Sequence, residues 1–222
     1  MEKKNTLLLT VIAVAVLLVA VVGATFAYFT ATSTGSKTQT VKVTTNTINT
    51  SQFDSGSILT ITANLNNFGK PGEEYTGSNP GTQSASNISH AKFKAGDAGS
   101  ASMCYNVGLV IGQGKNTFET TSSGYSLSIP ELSLTVKKGS TIIYDNLSLI
   151  GQVNKTIYFP TAKSTTAKTT PVQHKITSSG SLVDDVWTTT ISLNWDSNGN
   201  QNDNAGKSFE GTIKFTKLDK CS

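Results

Sequence analysis

A stretch near the C-terminus, DSNGNQNDN starting at position 196, comes closest to a ligand-binding motif. Asp196, Asn198 and Asn200 have the alternate spacing of an EF-hand loop, in which side-chain oxygens bind calcium. The sixth residue is Gln201 instead of glycine and the twelfth is lysine instead of glutamate, so the EF-hand pattern fails. Two interpretations remain: a looser calcium site formed by Asp196, Asn198 and Asp203, or a turn whose residues tolerate left-handed backbone.

The two histidines, His90 and His174, are the next candidates for catalysis or zinc binding. Neither belongs to a His-Glu-x-x-His motif, and the chain has no Gly-x-Ser-x-Gly sequence that would present a nucleophilic serine. We interpret both as surface histidines in loops. The sequence therefore predicts a protein that is not an enzyme, with no catalytic residue and no cofactor.

Alternation of apolar and polar residues predicts β-strands, and it is clearest in VWTTTISLNW at residues 186–195. One face of this strand carries Trp187 and Trp195 together with aliphatic residues. Paired tryptophans also suit a sugar-stacking platform, but their aliphatic neighbours favour packing in the core. The segment SFEGTIKFTKL at residues 208–218 alternates in the same way, and we predict that the two strands form an antiparallel hairpin with a long loop.

Further strands are predicted at SILTITANL, MCYNVGLVI, ELSLTV, STIIYDN and TIYF, and nothing after the leader shows a helical period. Short strands separated by Gly, Asn and Ser turns are typical of a β-sandwich of the jelly-roll or immunoglobulin-like kind. Residues 67–102 and 161–174 lack this pattern, and we predict that both are long surface loops. The expected fold is all-β, preceded by an N-terminal signal or transmembrane helix.

The two cysteines, Cys104 and Cys221, are far apart in the chain. An even, sparse number of cysteines in an exported protein indicates one disulfide, which would fix the C-terminal end to the middle of the domain. The alternative is a pair of free thiols, one of them on a frayed tail. Their spacing, without paired histidines, is not that of a zinc site.

The N-terminus has the three parts of an export signal. Two lysines near the start precede an apolar run over residues 7–22, and small residues follow, including Thr25 and Ala27. Cleavage is expected between Ala27 and Tyr28. The alternative is a retained transmembrane helix over residues 5–29, which is long enough to span a bilayer. Either way, the remainder of the chain is expected outside the cytoplasm.

Composition and charge argue against nucleic acid as a partner. All 18 basic residues are lysine, and the net charge is only +4. These lysines are scattered along the chain, whereas nucleic-acid-binding surfaces concentrate basic residues and commonly use arginine.

Three segments resemble the TasA/camelysin family of exported Gram-positive proteins: GATFAYFTATST at residues 23–34, CYNV at residues 104–107, and WDSNGNQNDNAGKSFEGTIKF at residues 195–215. The first of them resembles the end of a leader that is processed by a SipW-type signal peptidase. The camelysin branch of the family also implies a metallopeptidase, although this chain has no recognisable zinc-protease motif.

The resemblance implies a jelly-roll subunit of a biofilm matrix or a cell-surface fibre. It also implies that the freed N-terminal segment completes the sheet of the next subunit. In this chain the donor strand corresponds to residues 28–44, and its residues of interest are Tyr28, Phe29, Val41 and Val43.

We therefore expect three parts: residues 1–27 as signal peptide or retained anchor, residues 28–44 as an extended segment, and residues 45–222 as the β-sandwich. The leading hypothesis is a non-enzymatic extracellular structural protein, secreted or associated with the cell surface, that assembles into fibres by donor-strand addition. Its expected partners are other copies of the chain and components of the matrix or cell wall, with membrane contact only through uncleaved residues 5–29. The alternative is a monomeric, anchored or secreted adhesion module that binds a ligand through its long loops.

Overall fold

The computed structural model describes residues 39–40, 49–63, 83–96, 99–196 and 198–221, all of which belong to the compact unit Thr32–Ser222. The expected N-terminal signal or transmembrane helix lies outside the described residues. No helix in the described part of the chain is long and apolar enough to cross a membrane. The described strands, with one 3-10 helix at Asn202–Asn204, are β1 (Gln39–Thr40), β2 (Thr50–Asp54), β3 (Leu59–Thr62), β4 (Gln83–Lys94), β5 (Ala101–Ile111), β6 (Leu132–Lys138), β7 (Thr141–Ser148), β8 (Lys155–Tyr158), β9 (His174–Ser178), β10 (Val183–Leu193) and β11 (Ser208–Leu218).

Two antiparallel sheets pack together as a β-sandwich, so the predicted all-β fold is confirmed. The six-stranded sheet has the order β1-β2-β4-β10-β6-β7. The other sheet has the order β3-β11-β5-β8, with β9 also paired to β5. β8 pairs with residues 108–111 of β5 and β9 with residues 101–105, so the two short strands share one edge of β5 while β11 occupies the other.

The core lies between the two sheets, where the apolar faces of their strands meet. Trp187, Ile191 and Leu193 of β10 are buried there, as the alternating pattern predicts. β5 differs, because residues 103–109 are all buried and no exposed face interrupts them. This strand therefore lies in the interior of the domain, and it is the one that carries Cys104.

The predicted hairpin between β10 and β11 is wrong. β10 pairs with β4 and β6 in the six-stranded sheet, whereas β11 pairs with β3 and β5 in the other sheet. Each strand buries one apolar face, and the two faces join one core from opposite sheets instead of lying side by side. The connection over residues 194–207 therefore crosses between the sheets, a separation of about 10 Å.

The predicted loop over residues 67–102 is wrong in part, because the 12-residue strand β4 lies within it. Asn87 and Ser89 of β4 are buried, while Ile88 lies on the outer face and is 56% exposed. Small and polar residues at inward positions obscure the apolar alternation that normally identifies a strand. The other predicted loop is confirmed up to His174, where β9 begins, because residues 161–173 are all described and contain no strand.

Candidate functional site

The connection over residues 161–173 covers one side of the sandwich. The N–H of Ser164 donates to a carbonyl of β7 at 3.0 Å, and Tyr158 of β8 donates its N–H to the carbonyl of Lys168 at 2.8 Å. The hydroxyl of Tyr144 donates to the carbonyl of Tyr158 at 2.8 Å and accepts the N–H of Lys168 at 3.0 Å. The edge strands of both sheets on this side therefore have backbone partners, which protects them from pairing with another chain.

The opposite side of the sandwich is less completely covered. β4 pairs with β10 along residues 83–93, but with β2 only along residues 90–94. β2 ends at Asp54, and the chain then crosses to the other sheet, where β3 begins at Leu59. Among the described residues, no strand pairs with the outer edge of β4 over residues 83–89. We call this segment the open edge, because every second residue directs its backbone N–H and C=O away from β10, where no described strand pairs with them.

Asn87 fixes the point where the chain leaves the six-stranded sheet. Its side-chain N–H donates to the carbonyl of Ser55 at 2.7 Å, and its side-chain oxygen accepts the N–H of Ser57 at 3.1 Å. Gly56 lies between these two contacts with a φ of +65°, and a Cβ there would overlap the side chain of Asn87. Glycine is therefore required at this turn, which lies against Asn87 and the carbonyl of Ile88 at one end of the open edge.

The predicted donor segment, residues 28–44, is described at Gln39 and Thr40 only. These two residues form β1 and pair antiparallel with β2. These two residues therefore lie at an edge of the six-stranded sheet, on the same side as the open edge. The predicted cleavage and donor residues lie outside the described residues: Ala27, Tyr28, Phe29, Val41 and Val43.

The two cysteines are joined by a disulfide, with Cα atoms 5.3 Å apart and a sequence separation of 117. Cys104 lies buried in β5, and Cys221 follows β11, the strand that pairs with β5. The bond fixes the C-terminal end of the chain to an interior strand. A loop of this length corresponds to a stabilisation of about 4–5 kcal/mol in the chain-entropy model.

The residues of the looser calcium site contact serines of the connection between β5 and β6. The buried Asp196 accepts both the N–H and the hydroxyl of Ser126 through Oδ2, at 2.8 and 2.7 Å, and the N–H of Asn198 through Oδ1 at 3.0 Å. Asp203 accepts the N–H and hydroxyl of Ser123, both at 2.8 Å. The Ser126 hydroxyl is the main cause of a lowered pKa at Asp196, and the Ser123 N–H has the same effect on the pKa of Asp203.

Two aspartates therefore hold the loop after β10 against residues 122–126. Within the described part of the chain, no group of three or more His, Cys, Asp or Glu side chains is placed to hold a metal ion. Calcium binding by Asp196, Asn198 and Asp203 stays a prediction.

A buried carboxylate that sequence reasoning missed lies at the same end of the sandwich. Glu131 is 0% exposed, and its Oε1 accepts the hydroxyl of Ser122 at 2.8 Å and the amide of Gln201 at 2.9 Å. Its Oε2 accepts the N–H of Ser122 and the amide of Asn204, both at 2.7 Å. Four uncharged donors thus compensate the loss of hydration. A single glutamate after a proline gives no sequence signal for this role, because its partners lie far along the chain.

We call this set of contacts the polar junction, and its members are Ser122, Ser126, Glu131, Asp196, Gln201 and Asn204. It joins the connection after β10 to the connection before β6, and so fixes the end of the sandwich where the chain crosses between sheets. Both carboxylates of the junction accept hydrogen bonds from uncharged donors, whereas the buried side-chain oxygen of Asn204 has no partner among the described residues. The matched carboxylates point to a structural role for this end of the domain.

The prediction that both histidines lie in surface loops is wrong. His174 begins β9 and is 3% exposed, with Nε2 2.8 Å from the carbonyl oxygen of Phe159 and its ring packed edge-on against Trp187. Burial lowers the pKa of His174. His90 lies in β4, where Nδ1 is 2.9 Å from a carboxylate oxygen of Asp184. The low-complexity sequence before His174 conceals its burial, because one inward residue does not make a periodic pattern.

The prediction that Trp187 packs in the core is confirmed, and this residue also makes a polar contact there. Its indole N–H donates to the hydroxyl of Tyr105 at 3.1 Å, and that hydroxyl donates to Asp185 at 2.7 Å. Asp185 also pairs with Lys138 at 2.7 Å. Burial, followed by the bond to Asp185, raises the pKa of Tyr105, so its hydroxyl keeps its proton. Trp195 follows the end of β10 and is half-buried.

Comparison with known proteins returns no match to this chain among family models, curated proteins or solved structures. The resemblance of three segments to the TasA/camelysin family stays a prediction.

Proposed function

We propose that this chain is a non-enzymatic extracellular structural subunit that assembles with copies of itself by donor-strand addition. In this mode an extended segment of one subunit pairs with an unoccupied sheet edge of the next. The observation that carries the proposal is the uneven cover of the sandwich. One side is closed by backbone hydrogen bonds from residues 161–173, while the open edge has no strand partner among the described residues.

The open edge has the composition of an acceptor. The turn at residues 55–57 lies against Asn87 and Ile88, so residues 83–86 are the part of the edge proposed to pair with a donor. The sequence of the open edge, QSASNIS, contains no lysine and no proline, the residues that most often protect an edge from pairing. The other half of β4 carries Lys92 and Lys94 and is already paired with β2.

The position of β1 supports residues 28–44 as the donor. Gln39 and Thr40 already pair with β2, so this part of the segment takes an extended conformation at a sheet edge. A neighbouring subunit can offer the same segment to the open edge, with alternate apolar residues such as Val41 and Val43 facing the core. The disulfide between Cys104 and Cys221 agrees with export, because such bonds persist in oxidising compartments.

The donor is tested by comparing two versions of the chain, one beginning at Tyr28 and one beginning at Thr45. The longer chain is expected to form filaments by electron microscopy, and the shorter one to stay a folded monomer by sedimentation and circular dichroism. A synthetic peptide of residues 28–44 is expected to bind the shorter chain in equal proportion. Filaments formed by the shorter chain would refute the proposed donor.

The acceptor is tested by a matched pair of substitutions. Ser86 in the open edge and Thr190 in β10 are register partners, with their hydroxyl oxygens 3.1 Å apart. S86K places a charge on the open edge and is expected to weaken assembly, whereas T190K places it on a strand that already has two neighbours. Equal filament formation by both variants would mean that β4 is not the acceptor. A mature chain that stays monomeric and binds a ligand saturably would favour an adhesion module instead.

A further inference from the structure

The loop after β10 contains the chain's single Asn-Gly pair, Asn198 and Gly199. The side chain of Asn198 is exposed, whereas Asn194 and Asn204 at the two ends of the loop are buried. Glycine after asparagine removes the Cβ that otherwise hinders attack by the backbone nitrogen on the side-chain amide. Sequence and exposure therefore place a chemically reactive amide on the polar junction's outer surface.

We propose that Asn198 is a spontaneous deamidation site, and that its conversion loosens the loop from residues 122–126. In the first step the backbone nitrogen of Gly199 attacks Cγ of Asn198. The new N–Cγ bond forms, the Cγ–Nδ2 bond breaks, and ammonia leaves with the proton from the backbone nitrogen. Water then opens the cyclic imide at either carbonyl and leaves an aspartate or an isoaspartate at position 198. No oxidant, reductant or enzyme is needed.

The local hydrogen bonds allow this reaction. The N–H of Gly199 donates to the backbone carbonyl of Asp196 at 3.2 Å, at the long end of the normal range, so little is lost when the nitrogen turns away. The N–H of Asn198 donates to Oδ1 of Asp196 at 3.0 Å. These bonds hold the backbone on both sides of Asn198. They do not involve its exposed side chain, which can therefore approach the backbone nitrogen of Gly199.

The other asparagine amides of the loop are protected by contacts or by the following residue. The amide of Asn194 donates to the carbonyl of Pro130 at 2.7 Å and to the hydroxyl of Ser133 at 3.0 Å. The amide of Asn204 donates to the carbonyl of Thr120 at 3.0 Å and to Glu131 at 2.7 Å. Asn200 is exposed and Asn202 is half-buried, but they are followed by glutamine and aspartate, whose side chains hinder the attack. Deamidation is therefore selective for Asn198.

The product alters the contacts on which this loop depends. A Cβ at Gly199 would overlap the carbonyl oxygen of Gly124 and lie 2.8 Å from Oδ2 of Asp196, so the turn lies directly against residues 122–126. An isoaspartate lengthens the backbone before Gly199 by one atom, which this close approach cannot accommodate. An aspartate places a second negative charge near Asp196, the carboxylate that holds Ser126. Both products weaken the contact between Asp196 and Ser126.

The test uses the folded mature chain, incubated in mildly alkaline buffer beside the N198Q variant and beside the wild-type chain unfolded in urea. Peptide mapping by mass spectrometry is expected to find conversion of amide to carboxylate at position 198 in the folded chain. The other asparagines stay intact, and N198Q is unchanged at this site. An amide at position 198 that persists in the folded chain but is lost in urea would overturn the site, since the fold would then protect it.

The structural consequence has its own measurement. Hydrogen exchange at the Ser126 amide is expected to become faster in the aged chain and in N198D, and to stay at the fresh wild-type rate in aged N198Q. Both variants keep every member of the polar junction, so we expect them to stay folded. A faster exchange at Ser126 would then reflect a local change and not global unfolding. Unchanged exchange at Ser126 after complete conversion would overturn the proposed loosening.

Discussion

Trp187 of β10 and Tyr105 of β5 are joined across the core by a hydrogen bond of 3.1 Å from the indole N–H to the phenol oxygen. The hydroxyl of Tyr105 in turn donates to Asp185 at 2.7 Å, so it satisfies a donor and an acceptor at once. Trp187 and Tyr105 are fully buried by the packing of one sheet on the other, while Asp185 is partly exposed. The contact therefore ties the two sheets together at a point where an unsatisfied group would be costly.

The Tyr105→Phe substitution is expected to lower the free energy of unfolding by about 1–3 kcal/mol, because it leaves the N–H of Trp187 and the carboxylate of Asp185 without this partner. Urea unfolding followed by tryptophan fluorescence measures the change. The matched control is Tyr125→Phe, which removes an exposed bond from a hydroxyl to the carbonyl of Ile129. Equal costs for the two variants would contradict the importance of the buried contact.

Because His174 is buried, we expect the free energy of unfolding to fall on acidification. Burial lowers its pKa in the folded state, while the unfolded chain titrates near the ordinary value of about 6.5. Above that value both states hold a neutral ring, and the stabilisation is fully present. As the pH falls towards the lower folded pKa, the unfolded state binds a proton that the folded state does not. Stability is then lost at up to about 1.4 kcal/mol per pH unit.

Urea midpoints measured at a series of pH values on both sides of about 6.5 test this expectation. The His174→Gln variant keeps an N–H for the carbonyl of Phe159 but does not titrate. Its stability is expected to be flat over the window in which the wild type declines. A parallel decline in both proteins would assign the pH dependence to another group.

The strands that sequence reasoning found are those whose inward residues are large and apolar. Trp187, Ile191 and Leu193 identify β10 by themselves, since burial of such side chains dominates the choice of face. The sequence analysis did not predict β4, because its inward positions include the polar residues Asn87 and Ser89. Asn87 is buried where its side chain bonds the turn at Ser55. Alternation of apolar and polar residues identifies a strand when its inward side chains are large and apolar. It does not identify a strand whose inward positions hold small or polar residues.

Pairing partners were harder to predict than the strands themselves. β10 and β11 follow each other in sequence, yet they lie in different sheets. The apolar face of each strand is buried in the core in either arrangement, so the apolar pattern does not distinguish a hairpin from a crossing between sheets. The polar junction was hidden for a related reason. Glu131 and Asn204 are 73 residues apart, and nothing local in either segment indicates that their side chains meet. Contacts of this kind follow from topology, which single-strand patterns do not encode.

Asp196→Asn is expected to destabilise the chain by about 1–3 kcal/mol, because an amide cannot accept from both Ser126 and Asn198 as the carboxylate does. The control is Asp145→Asn, which removes an exposed ion pair with Lys163 at 2.8 Å and should cost less than about 1 kcal/mol. The lowered pKa of Asp196 adds a second expectation. Its stabilisation is present above the ordinary carboxyl pKa and is lost as the pH falls through the lower folded value.

Urea unfolding of both variants at neutral pH measures the first effect, and the same experiment under strongly acidic conditions measures the second. The difference between wild type and D196N is expected to shrink as the carboxylate of Asp196 becomes protonated. A gap that stays constant into strong acid would show that the carboxylate charge is not what holds Ser126.

Removing the disulfide is expected to cause the largest loss of stability among these changes. The double substitution of Cys104 and Cys221 by alanine frees a loop whose closure corresponds to about 4–5 kcal/mol in the chain-entropy model. Cys104 is buried in β5, so part of the measured loss comes from the changed side-chain volume. The reduced wild-type chain separates the two effects, because it keeps both sulfur atoms and lacks only the bond. If reduction alone leaves the urea midpoint unchanged, the bond does not stabilise the fold and the cost in the double variant is one of packing.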